Sequence, residues 1–187
     1  MKTPLVLLQN RREEAQMIML GVGAAVVYGI LQDQVTAHVC VEYFTIGHID
    51  YLNLKDPTLI AFEWGVAATW WVGLPLGILL AISAHAGRRK PKLTTKDLLR
   101  PTLILMVGTG AMALVAGMTG YFAARSGAAH LLEPLATLVP MEKQVAFLAD
   151  MWAHTASYVA GCIGAIVLCL WAWRKRRTLE KIQVAHE

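Results

Sequence analysis

LIAFEWGVAATWWVGLPLGILLAIS, residues 59–83, holds one charged residue, Glu63, in 25 positions. A helix needs roughly 20 mainly apolar residues to cross the hydrocarbon core of a bilayer, and this stretch exceeds that length. It has no polar face of the kind a surface helix of a soluble domain presents to water. Three more runs share its character: 17–40, opening MIMLGVGAAVVYGILQ; 101–123, PTLILMVGTGAMALVAGMTGYFA; and 145–173, VAFLADMWAHTASYVAGCIGAIVLCLWAW. The expected fold is all-α: an integral membrane four-helix bundle forming one membrane domain over residues 1–187. Pro75 is expected to kink the second span, and Pro101 to stand at the start of the third, where its missing N–H costs nothing.

Composition agrees. Of the 187 residues, 56% are hydrophobic and 16% charged, against about 25% charged in an ordinary soluble domain. The net charge of +4 does not point to nucleic acid, because the basic residues sit beside the apolar runs and not on a polar surface. The opening MKTPLVLLQNRREE has only LVLL as an apolar core. That is shorter than the roughly 7–15 residues of a signal-peptide core, so the first run is expected to remain as an anchor. Cys40, Cys162 and Cys169 form no CxxC and read as small apolar residues.

The basic residues also predict direction. Fourteen of the 17 Lys and Arg lie before the first run, between the second and third, or after the fourth. Only Lys55, Arg125 and Lys143 lie on the other side, so the positive-inside rule places both termini in the cytoplasm. Eight acids, Asp33, Glu42, Asp50, Asp56, Glu63, Glu133, Glu142 and Asp150, fall on the side expected to face outward. Gly73 and Gly77, Ala116 and Gly120, and Ser157 and Gly161 are spaced four apart, which suits close helix packing.

Polar groups then converge at one depth. His38 and Glu42 are four apart, as are Asp150 and His154, so each pair is expected to share a helix face. At 1.5 Å per residue from the flanking basic residues, His38, Glu63, Tyr121, Asp150 and His154 all come out about 30–39 Å along their helices. Ionisable groups at such depth face a bundle interior and mark function. Five of them, His38, Glu42, Glu63, Asp150 and His154, are the donor types of a metal site, with Arg125, Tyr121, Tyr158 and His48 as neighbours. Mixed imidazole and carboxylate donors suit iron, manganese or zinc. The spacings HxxxE and DxxxH differ from the ExxH of carboxylate-bridged di-iron bundles. His38 and His154 as axial ligands of a haem are a rival reading. Arg125 neutralising Glu42, Glu63 or Asp150 in an ordinary ion-pair network is another. His85, His130 and His186 read as solvated or loop residues.

Three functions follow from this inventory. The first is metal-dependent redox or hydrolytic chemistry. The second is a non-catalytic subunit or assembly factor docking other membrane subunits, with lipid as the remaining partner. The third is a small transporter with a proton or cation path, against which the lack of an internal repeat counts. No nucleotide-binding or hydrolase motif occurs. The stretches VCVEYFTIGH, 39–48, and DMWAHTASY, 150–158, resemble segments of uncharacterised bacterial four-span inner-membrane proteins. That resemblance implies a multi-pass protein of the bacterial inner membrane and carries no activity and no site residue.

Overall fold

The computed structural model describes residues 4–49, 52–87 and 91–185, with side chains from Asn10 onward. Lys2, Asp50, Arg88, Arg89, Lys90 and His186 lie outside the described residues. Every regular element is helical: α1 Pro4–Val39, α2 Glu42–Thr45, α3 Pro57–Ala67, α4 Trp70–His85, α5 Thr95–Arg125, α6 Leu135–Leu138, a 3₁₀ turn Met141–Lys143, and α7 Gln144–Ala185. No strand occurs among the described residues. Four stretches are long and apolar enough to cross a membrane: Asn10–Val39, Pro57–His85, Thr95–Arg125 and Met141–Ala185.

Each helical stretch outruns the apolar run that predicts it, because polar residues with good caps extend a helix as well as apolar ones do. Pro57 opens α3 and Asp56 caps it, its Oδ1 accepting from the Leu59 N–H at 3.0 Å. The third span does not start at Pro101. It starts at Thr95, where Thr94 donates its backbone N–H and hydroxyl to Asp97 Oδ2, both at 2.9 Å. This is one half of a capping box. The second span is two helices, interrupted at Ala68–Thr69 and not at Pro75, which lies inside α4. Thr69 restarts the chain, its carbonyl accepting from Val72 at 3.1 Å and Gly73 at 2.9 Å.

The chain divides into two compact units, and the division falls once within each long stretch. One unit is Met1–Val26, Thr69–Met106 and Cys162–Glu187; the other is Val27–Ala68 and Val107–Gly161. The first contains 14 of the 17 Lys and Arg and is called the basic unit. The second contains eight of the 13 Asp and Glu and is called the acidic unit.

In the basic unit α1 and α4 touch through glycine. A Cβ on Gly21 would lie 2.6 Å from the Gly77 Cα, and one on Gly73 2.8 Å from the Gly21 carbonyl oxygen. Met17, Leu80, Ala84, Leu98 and Ala172 close the core beneath. His85, expected to be solvated, is buried: one ring nitrogen meets Glu14 Oε1 at 3.2 Å and the other the Leu93 carbonyl at 3.0 Å. The reason is that residues 91–93 fold back over the end of α4, which an apolar-run reading cannot foresee. Arg176 is 1% exposed and donates to the carbonyls of Pro91, Ser83 and Ala86.

In the acidic unit Gly65 packs on Ile30, where a Cβ would lie 2.6 Å from backbone, and Gly120 packs on Trp152. Cys40, Leu131, Val139, Phe147 and Leu148 form one apolar cluster, and Ala37, Phe44, Ile60 and Ala61 another. The stretch 126–140 contains only the four-residue α6.

Candidate functional site

Two helix faces build the candidate site, both within the acidic unit. In the last two turns of α1 the buried positions are Asp33, Thr36 and Ala37, and Cys40 just past the helix is buried as well; the spacings of three, four and seven from Asp33 are those of one helical face. Leu31, Val35, His38 and Val39 are exposed. On α7 the buried positions include Asp150, Ala153, His154 and Ser157, again one face.

His154 is 8% exposed and lies against α1. Its Nε2 is 3.1 Å from Thr36 Oγ1 and 3.8 Å from Asp33 Oδ1. The Thr36 hydroxyl donates its one hydrogen to the Gln32 carbonyl, at 3.2 Å, so its lone pair faces the ring. The arrangement that satisfies both contacts puts a hydrogen on Nε2 and aims it at Thr36 and Asp33. Rings cover the opposite side of His154. Tyr43 stacks on it at 4.6 Å and 22°, and Phe44 meets it edge-on at 5.7 Å. His48 contacts Tyr43 at 4.9 Å and Trp64 at 4.7 Å.

The two carboxylates are the costly part. Asp33 is 4% and Asp150 2% exposed, and they interact electrostatically. Asp150 Oδ2 has no hydrogen-bond partner among the described residues. Gln32 Nε2 is likewise buried and unpartnered. Its carbonyl end belongs to a neutral triad with Tyr28 and Ser157. Ser157 Oγ is 2.6 Å from Gln32 Oε1 and 2.8 Å from the Tyr28 hydroxyl, which also bonds Gln32. Residues 28, 32 and 157, then 33, 36 and 154, then 150, make a polar line along two facing helices.

The five residues singled out as metal donors do not gather. Asp150 and His154 share a buried face as expected. His38 is exposed and gives its Nδ1 to the Gln34 carbonyl of its own helix at 2.7 Å. Glu42 does not share a helix with His38, because α1 ends at Val39. Its carboxylate pairs with Lys143 at 3.3 Å and accepts from the Cys40 thiol at 3.4 Å. Glu63 is half-buried with Oε1 unpartnered. Arg125 neutralises none of the acids named for it. It is exposed and donates to the Tyr121 hydroxyl at 3.1 Å. Tyr158 is 43% exposed at the flank of the site, and His48 is exposed at its rim. Among the described residues no three His, Cys, Asp or Glu come together as donors to one metal ion. The haem pairing of His38 with His154 finds one ring exposed and the other already packed between Thr36 and Tyr43.

At the rim, burial pushes the Cys40 thiol up to about 12, reinforced by its bond to Glu42, so it is not a reactive thiolate. Burial also pushes the Glu42 carboxyl up. Its own backbone N–H, the Cys40 thiol and Lys143 outweigh that and hold it below the ordinary carboxylate value.

Asp33, Thr36 and Gln32 are the residues that the sequence reading passed over. Their signal was the placing of polar and small residues at 33, 36, 37 and 40. No family model, curated protein or solved structure matches the chain.

Proposed function

We propose that this chain is a small membrane protein that passes protons along the polar line of its acidic unit, with Asp33, Asp150 and His154 as the groups that hold the proton in transit. One observation carries the reading. Two carboxylates lie buried within apolar spans, Asp33 has the His154 imidazole at 3.8 Å, and one oxygen of Asp150 is unpartnered. Unpaired charge at membrane depth is expensive, and such residues mark proton or ion pathways. The missing countercharge is a proton. The Tyr28–Gln32–Ser157 triad continues the line with groups that donate and accept. This reading displaces a metal centre because the donors do not converge.

The orientation follows from charge. The Lys- and Arg-rich ends of the spans support both termini lying in the cytoplasm by the positive-inside rule. The bacterial inner membrane is the setting that the resemblance of 39–48 and 150–158 implies.

The test is proton flux into liposomes carrying a pH-sensitive dye, driven by a potassium diffusion potential. The wild-type chain should acidify the lumen faster than protein-free vesicles. Asp150→Asn and Asp33→Asn should each remove about tenfold or more of that rate at equal insertion, as loss of a proton-transfer group does. Wild-type vesicles that behave like empty ones would end the proposal.

A further inference from the structure

We infer that α7 carries a binding site for one anionic phospholipid, whose headgroup phosphate is held by Arg174, Arg177 and Lys181 just past the tryptophans that end the apolar run; the inference does not depend on the proton path. The three cations are spaced three and four residues apart, so they line one face of an unbroken helix. All three are exposed. Ala172 and Arg176, on the opposite side of the helix, are buried within the basic unit.

Partner supply separates these cations from their neighbours. Arg176 gives its guanidinium to the carbonyls of Pro91, Ser83 and Ala86. Lys175 gives its ammonium to Asp97 Oδ1 at 3.2 Å. Arg174, Arg177 and Lys181 form no ion pair with a carboxylate among the described residues. Anions that neutralise this face therefore come from outside the chain.

The surroundings of the face select the anion. Tryptophan concentrates at the membrane–water interface, and Trp171 and Trp173 stand one turn before Arg174 and Arg177. The Arg177 guanidinium lies over the Trp173 ring, 5.3 Å from its centroid, which holds the charge beside the interface. At 1.5 Å per residue Arg177 stands about 6 Å past Trp173, within a headgroup layer roughly 5–8 Å thick. Lys181 is one turn further, and its long stem lets the ammonium reach back. Towards the bilayer the same helix face continues as Ile163, Ile166, Val167 and Leu170, all more than half exposed. Apolar side chains followed by unpaired cations on one face match an acyl chain followed by a phosphate. A free anion would use only the upper half.

The test is native mass spectrometry of the intact protein released from nanodiscs of equal phosphatidylglycerol and phosphatidylcholine with identical acyl chains. The wild type should retain phosphatidylglycerol in clear excess. Arg174→Gln, Arg177→Gln and Lys181→Gln should each lower that preference by up to about fivefold, the factor that one cation near an anionic headgroup corresponds to. The triple variant should retain the two lipids alike. Trp173→Leu should lower the preference about two- to fivefold, as for an exposed cation–π contact. Arg174→Lys with Arg177→Lys keeps the charge and should keep most of the preference. Lys55→Gln with Arg125→Gln removes two cations elsewhere and should change nothing. Equal retention of both lipids by the wild type would overturn the site. So would a preference that survives the triple variant or, should that variant not fold, all three single ones. A preference that falls as far with Lys55 and Arg125 neutralised would reduce it to net charge and overturn the site as well.

Discussion

The two units bury charge in opposite ways. In the basic unit each buried or half-buried ion meets a complementary group. Arg176 donates to three backbone carbonyls, Glu13 accepts from the Thr95 N–H and hydroxyl at 2.9 Å, and Asp97 takes Thr94 and Lys175. These contacts fasten residues 83–86 and 91–97 to α1 and α7, and they account for the buried charge without any function. Among the described residues the one buried unpartnered side-chain atom there is the neutral hydroxyl of Thr102. In the acidic unit Asp33 meets the His154 imidazole at 3.8 Å, while Asp150 Oδ2, Glu63 Oε1 and Gln32 Nε2 have no partner among the described residues. Burial of an ion is therefore not a sign of function in itself; what distinguishes the units is whether partners are supplied.

The largest expected effect tests the structural half of that contrast. Arg176→Met leaves three buried carbonyls without a donor. It should cost about 3 kcal/mol or more, since each unsatisfied buried acceptor costs on the order of 1–3 kcal/mol. Thermal unfolding in detergent should show a clear drop in Tm, while proton flux per inserted molecule stays at the wild-type level. A flux loss at unchanged Tm would mean the basic unit also carries function.

Next come the glycine contacts, which should behave alike in both units because packing does not depend on charge. Gly77→Ala places a Cβ 2.7 Å from the Ile18 carbonyl oxygen, and Gly65→Ala one 2.6 Å from Ile30 backbone. Each should cost about 1–3 kcal/mol, the usual penalty of overpacking. Gly23→Ala and Gly108→Ala meet nothing within 4 Å and should unfold at the wild-type temperature. A penalty confined to one unit would show that the other tolerates helix separation.

Asp150→Asn is the reverse of Arg176→Met. The substitution removes a buried charge that has little to lose, so stability should hold to within about 1 kcal/mol or rise. Flux should collapse. Destabilisation by about 3 kcal/mol or more would reveal a partner for Asp150, and the two units would then bury charge by the same rule.

The spans were legible in the sequence because length and lack of charge are all that membrane crossing demands. Their ends were less so. Thr94–Asp97 starts a helix six residues before Pro101, by capping and not by hydrophobicity. The Asp150–His154 face was legible because a helix runs unbroken through both. The His38–Glu42 face was not, because the chain leaves the helix between them at Cys40. Choosing the wrong side of α1 has a physical cause. Lipid and core are both apolar, so a span loses the polar stripe that shows which face is buried. Asp33, Thr36 and Cys40 restore that stripe only when polar and small residues, not hydrophobic ones, are followed.

The smallest expected effect lies at the rim, where the two ways of burying charge meet. Glu42 has a partner, yet the partner is exposed. Its carboxyl is held below the usual value of 4.5 by its own N–H, the Cys40 thiol and Lys143, against the push of burial. A carboxyl lowered on folding adds stability that is complete above the unfolded value. That stability drains away as pH falls from about 4.5 through the folded value. Because Lys143 is solvated and screened, the amount should be about half a kcal/mol. Unfolding followed from pH 6 to pH 3 should therefore show Glu42→Gln slightly less stable than the wild type at pH 6 and equal to it at the acid end. High salt should shrink the gap at pH 6. A gap that persists into acid would mean that the glutamine loses packing and not charge. The Glu42–Lys143 pair would then contribute nothing to the fold of the acidic unit.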